Sequence, residues 1–120
     1  MKILIVDDSR AMRGIVKRSL RQAGFGDWEV QEAENGKAAL AQIDAASPDL
    51  VLADWNMPEM TGIELLRTLR GEGSRVKLGF VTSESTPAIQ KEARDADALF
   101  VLSKPFTPDQ LREALERTVL

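Results

Sequence analysis

Asp7 and Asp8 stand together directly after the apolar run Ile3–Val6. Asp54 follows the run Leu50–Ala53, and Thr82 follows Val76–Val81. Ser103 and Lys104 follow Leu99–Leu102, with Pro105 next. Taken singly, each is an ordinary turn former or helix cap, and Asp8 or Ser9 would cap a helix. Taken together, three carboxylates, a hydroxyl and an ammonium describe phosphoryl chemistry. Gathered carboxylates raise one another's pKa unless a cation sits among them. Lysine supplies one positive charge and a hard divalent cation the rest. Mg²⁺ suits a small oxygen cage, with Mn²⁺ as an alternative. A carboxylate at the centre of such a cage can be a covalent nucleophile toward phosphorus. The cation, lysine and hydroxyl then neutralise charge on the phosphoryl oxygens.

Composition removes most competing chemistries. The chain has 120 residues, one domain's worth, and no cysteine or histidine. Thiolate metal sites and disulfides are excluded, as are Ser-His-Asp hydrolysis and HExxH zinc chemistry. Sixteen Lys and Arg against nineteen Asp and Glu give a net charge of −3. That balance argues against a nucleic-acid partner. No apolar run is long enough to span a membrane or form a signal-peptide core. A cytoplasmic protein is the expectation. Neither GxGxxG nor a GxxxxGK phosphate loop is present, and Asp-x-Asp does not follow the first run.

The elements that must position these residues alternate along the chain. Apolar runs occur at Ile3–Val6, Trp28–Ala33, Leu50–Ala53, Val76–Val81 and Leu99–Leu102. Near-continuous Ile/Leu/Val strands belong to a parallel sheet covered on both faces. Ser9 caps a first helix with the stripe Met12, Ile15, Val16, Leu20 and Ala23, ended by Gly24. A second helix follows Asn35-Gly36, and a third runs from Thr61-Gly62 to Gly71. The fourth spans about residues 85–96 with a thin stripe, Ile89, Ala93 and Ala96. The fifth opens on the capping box Thr107-Pro108-Asp109-Gln110. Five β–α units imply an α/β fold, a three-layer doubly wound (βα)₅ sandwich on a five-stranded parallel sheet. Ligands bind such sheets outside the carboxyl ends of the strands, where Asp7, Asp8, Asp54, Thr82 and Lys104 stand. The second strand offers only Glu32 and Glu34.

Over nearly its full length the chain resembles the receiver domains of two-component response regulators. The matching pieces are Ile3–Asp8, Asp54 with Met57-Pro58 and Gly62, Thr82-Ser83, and Lys104-Pro105-Phe106. Asp54-Trp55-Asn56-Met57-Pro58, and Asp7-Asp8-Ser9 leading to Met12-Arg13, are similar to the stand-alone chemotaxis receivers of the CheY-like type. The resemblance implies the flavodoxin-like strand order 2-1-3-4-5 and a single receiver domain over residues 1–120 without an output domain. It makes Asp54 the phosphoacceptor. Asp8, Asp54 and the backbone carbonyl of Asn56 would hold Mg²⁺, with Asp7 acting through water. Lys104 would pair with Asp54 and then with the phosphoryl group. Thr82 would move to hydrogen-bond a phosphoryl oxygen, and Pro105 would follow a cis peptide bond. The donor would be a phosphohistidine on a histidine kinase. The output would be altered binding of a downstream protein such as a flagellar motor component, by a monomer acting away from membrane and nucleic acid. The protein would be no enzyme beyond weak self-phosphorylation and self-dephosphorylation.

Asn56 and Glu84 occupy the positions that tune phosphoryl lifetime in this family, and Ser83 and Glu84 open the loop after the switch hydroxyl. One position departs from the pattern. Many receivers carry an aromatic residue three before the lysine, and here that residue is Val101. Phe100 is one step away on a strand and faces the opposite side. Arg10, Arg13, Lys17 and Arg21 share helical spacing on the first helix. They form either a solvated face or a kinase-docking surface. Two readings stand beside the phosphorylated switch: a degenerate receiver that binds a partner without phosphorylation, and a receiver fragment of a larger regulator.

Overall fold

The computed structural model describes residues 1–120. The elements are β1 (Lys2–Val6), α1 (Arg10–Gln22), β2 (Glu29–Ala33), α2 (Gly36–Ala46), β3 (Leu50–Asp54), α3 (Gly62–Gly71), β4 (Lys77–Thr82), α4 (Pro87–Asp95), β5 (Val101–Ser103) and α5 (Pro108–Thr118). All neighbouring strands pair in parallel, in the order β2-β1-β3-β4-β5. The expected architecture and strand order are both present.

Alternation along the central strands divides the core in two. Leu4, Val6, Val51, Ala53, Leu78 and Phe80 face α2, α3 and α4. Ile3, Ile5, Leu50 and Leu52 face Val16 and Leu20 of α1 and Leu111 and Leu115 of α5. β1 and β3 are buried on both sides, which is why their sequences are unbroken apolar runs.

Capping follows the sequence closely. The side chains of Ser9, Asn35, Thr61, Thr86 and Thr107 each accept a backbone N–H of the helix they open. Helix α4 begins at Pro87, two residues later than expected, because Thr86 is its cap and Pro87 suits the first helical position. Among its residues only Ala93 is fully buried. Strand β5 is shifted to Val101–Ser103, although Leu99 N–H and Phe100 C=O already bond to Leu78 and Phe80 of β4.

Several local expectations need correction. Ile15 is 43% exposed and lies outside the α1 stripe, whose buried residues are Val16, Ser19 and Leu20. Trp28 precedes β2 and stacks at a tilt on Phe25, with ring centroids 4.5 Å apart. Arg13 and Lys17 do not form a free basic face with Arg10 and Arg21. Both turn to Glu32 on β2, at 3.0 Å each.

Candidate functional site

The carboxyl ends of β1, β3, β4 and β5 meet at one edge of the sheet. Asp7 is the first residue past β1, and its N–H still bonds to the Ala33 carbonyl at 3.1 Å. Its Oδ1 accepts the N–H of Ser9 at 2.9 Å, so the turn into α1 fixes the carboxylate. Asp8 follows in the same turn and is exposed. Asp54 ends β3 opposite Val81 and is 9% exposed. One carboxylate oxygen from each of Asp7, Asp8 and Asp54 lies within 4.8 Å of the others.

Lys104 completes the cluster from β5. Its Nζ is 3.3 Å from Oδ1 of Asp54 and 3.4 Å from Oδ2 of Asp7. The Lys104 N–H donates to the Thr82 carbonyl at 2.7 Å, and the Lys104–Pro105 peptide is cis as expected. Burial pushes the Asp54 carboxyl above its usual pKa. The nearby Lys104 charge opposes that push, the Asp7 charge adds to it, and hydrogen bonds from Lys104 and the Asn56 N–H lower it.

The donor set fits a hard divalent cation. Every candidate ligand is a carboxylate or carbonyl oxygen, and three carboxylates face a single ammonium. Two negative charges are left for a cation to balance, the complement of Mg²⁺.

Thr82 is fully buried at the end of β4. Its hydroxyl donates to the Glu84 carbonyl at 3.1 Å and accepts the Glu84 N–H at 3.0 Å. The hydroxyl is therefore engaged in the β4–α4 loop rather than on Asp54. Ser83 and Glu84 are exposed in that loop, and Asn56 is exposed after Asp54. Val101 packs on the α4 side of the sheet, whereas Phe100 lies on the α1/α5 side. The expected opposition of the two residues is present.

Two supports of the site work through contacts that sequence reasoning does not reveal. A Cβ on Gly62 would come within 2.4 Å of the Asp54 carbonyl oxygen and 2.8 Å of the Phe80 ring. Only glycine lets α3 start so close behind Asp54. Trp55 then packs edge-on to Phe80 at 4.9 Å. The second support is Arg13, whose Nη1 donates to the Asp7 backbone carbonyl. Gly62 was visible as part of a motif, but its reason lies in a contact that spacing does not reveal.

Comparison with known proteins places this arrangement. The family model of the response regulator receiver domain matches residues 3–116. The chain is 42% identical over 120 residues to the chemotaxis protein CheY of Pseudomonas aeruginosa, covering 98% of this chain and 94% of that protein. It is 40% identical over 119 residues to CheY1 of Helicobacter pylori, covering 97% and 94%. The structure of Vibrio cholerae chemotaxis protein CheY4 aligns with a TM-score of 0.86 at 35% identity, over 98% of both chains. With the family's pattern matched from β1 to α5, the chain belongs to the response regulator receiver domains.

Proposed function

We propose that this protein is a phosphorylation-controlled binding switch in chemotaxis signalling, with Asp54 as its phosphoacceptor. The observation that carries the reading is the placement of Asp54: buried to 9% exposure, in reach of Lys104, and within one oxygen cluster with Asp7 and Asp8. Relatives named as chemotaxis proteins at about 40% identity supply the pathway. The protein acts in the cytoplasm, as a monomer, on a downstream protein such as a flagellar motor component.

An oxygen of the Asp54 carboxylate attacks phosphorus in line with the bond to a kinase phosphohistidine. The P–N bond breaks, the imidazole leaves with its electron pair and takes up a proton, and Asp54 becomes a mixed anhydride. Asp8, Asp54 and the Asn56 carbonyl would hold Mg²⁺, with Asp7 beside them. When bound, the cation supplies positive charge to the phosphoryl oxygens. Lys104 holds Asp54 in place before transfer and pairs with the phosphoryl group afterwards. Thr82 leaves its bonds to Glu84 and donates to a phosphoryl oxygen, which pulls the β4–α4 loop inward. Helix α4 follows with little loss, because only Ala93 anchors it fully. Asn56 and Glu84 flank the site and orient the water that later hydrolyses the anhydride.

The test is phosphotransfer from a radiolabelled, autophosphorylated chemotaxis kinase in the presence of Mg²⁺. Label moves to the wild-type chain and not to Asp54→Asn. Label that stays on the kinase with the wild-type chain, or reaches Asp54→Asn equally, contradicts the reading.

A further inference from the structure

The structure assigns Arg13 as a positioning residue for the acidic cation site: gripped by Glu32, it fixes the Asp7–Asp8 peptide and so the placement of the Asp8 carboxylate. The inference rests on the cation-site reading above and adds a residue to it.

Arg13 sits on α1 but is largely covered, its side chain 12% exposed. Nε donates to Oε1 of Glu32 at 3.0 Å, and Nη1 donates to the Asp7 carbonyl. Lys17 donates to the other Glu32 oxygen at 3.0 Å, and the Glu32 backbone carbonyl accepts Gln42 Nε2 at 2.9 Å. Glu32 is thus held at both ends. Its carboxyl is kept below the usual range, first by the Lys17 hydrogen bond, so it is ionised when it grips Arg13.

The consequence falls on Asp8. A peptide unit is planar, so the direction of the Asp7 carbonyl also sets the direction of the Asp8 N–H and the position of its Cα. The other side of Asp7 is already pinned by Ala33, and its carboxylate by Ser9. Arg13 fixes the orientation of the peptide plane from which the exposed Asp8 side chain departs. Glu32 has a second effect. An unrestrained guanidinium beside two aspartates forms forked pairs with carboxylates and competes with a cation. Here the fork is divided between Glu32 and a backbone carbonyl, and the aspartate oxygens are left to the cluster.

The sign of the effect separates positioning from simple charge. Arg13 is a cation near an acidic site, so through-space repulsion alone predicts tighter Mg²⁺ binding when it is removed. Positioning predicts weaker binding. Groups that orient metal ligands typically contribute on the order of ten-fold or more in affinity.

The experiment is Mg²⁺ titration followed by tryptophan fluorescence, since Trp55 adjoins Asp54, on the wild-type chain, Asp8→Ala, Arg13→Met and Arg13→Lys. The Asp8 amide resonance is followed in parallel in cation-free buffer. We expect saturable quenching in the wild type, lost in Asp8→Ala. Arg13→Met should bind Mg²⁺ about ten-fold more weakly, with a displaced Asp8 amide before any cation is added. Arg13→Lys keeps the charge but not the planar fork, and should fall between the two. Unchanged or tighter Mg²⁺ binding in a folded Arg13→Met overturns the assignment, even if its melting temperature drops. Should Arg13→Met not fold, wild-type affinity and an unmoved Asp8 amide in Arg13→Lys overturn it instead. Absence of any saturable response in the wild type removes the cation site itself, and this inference with it.

Discussion

Lys104 Nζ stands 3.3 Å from Oδ1 of Asp54, bridging the ends of β5 and β3 across the intervening β4. The ammonium is also 3.4 Å from Asp7, so one cation serves two largely buried carboxylates. Replacing Lys104 with Met leaves both without their partner. Removing one partner of a buried ion pair costs about 3–5 kcal/mol. Lys104→Met should therefore melt earlier than the wild type at neutral pH in EDTA, and Mg²⁺ should recover much of the difference. Equal melting in EDTA would show that the pair is structurally idle.

Asp54 is raised in pKa chiefly by burial. A carboxyl whose folded pKa exceeds its unfolded value binds a proton more readily when folded. The contribution of Asp54 to the stability of the cation-free protein is then greatest below the unfolded pKa and falls as pH rises through the folded one. Asp54→Asn removes this dependence. In EDTA at neutral pH, Asp54→Asn should be more heat-stable than the wild type, and the gap should close as pH falls toward the acid range. A gap that widens on acidification would contradict the sign of the shift.

The hydroxyl of Thr82 already makes two bonds to the Glu84 backbone. Thr82→Val therefore loses hydrogen bonds in both states. Neutral hydrogen bonds are worth about 0.5–1.5 kcal/mol, and those to a charged group about 1.5–3. Counted on the donor bond alone, which passes from the neutral Glu84 carbonyl to a charged phosphoryl oxygen, the difference is about 1 kcal/mol and shifts the switch roughly five-fold toward the resting form. With a beryllofluoride phosphoryl mimic, amide shifts across residues 83–96 should shrink in Thr82→Val while the mimic still binds. Full-amplitude shifts would place the coupling elsewhere. Val101→Ala should retain them, because Val101 contributes packing to the α4 side and no polar contact.

Gly62 lies against the Asp54 carbonyl so closely that an added Cβ would reach 2.4 Å. Backbone on one side and a buried ring on the other leave little room to yield. Gly62→Ala should lower stability by about 1–3 kcal/mol, and should weaken Mg²⁺ binding by moving Asp54. Wild-type melting in Gly62→Ala would show that the start of α3 relaxes freely.

What could be read from the sequence was what depends on local chemistry. Runs such as Ile3–Val6 and Leu50–Ala53 exposed a sheet buried on both faces, and strand-end polar residues marked its working edge. Caps at Ser9, Asn35, Thr61 and Thr107 set helix starts almost to the residue. What was hidden depends on partners distant in sequence. Helical spacing put Arg13 and Lys17 on a polar face, but only β2 pairing beside β1 brings Glu32 under them. Ile15 fits the α1 period yet falls beyond the edge of the buried stripe. The space over Gly79 is filled by the Phe100 ring, at 2.3 Å from a Cβ placed there, a contact between β4 and the approach to β5 that neither segment reveals alone.

The central claim, that Asp54 accepts the phosphoryl group, is tested most directly by intact-mass analysis after incubation with acetyl phosphate and Mg²⁺. The wild-type chain should gain one phosphoryl group that hydroxylamine removes, as an acyl phosphate requires. Omitting Mg²⁺ should suppress the gain, and Asp54→Asn should show none. A phosphoryl group that persists on Asp54→Asn, or that survives hydroxylamine on the wild type, would contradict the assignment.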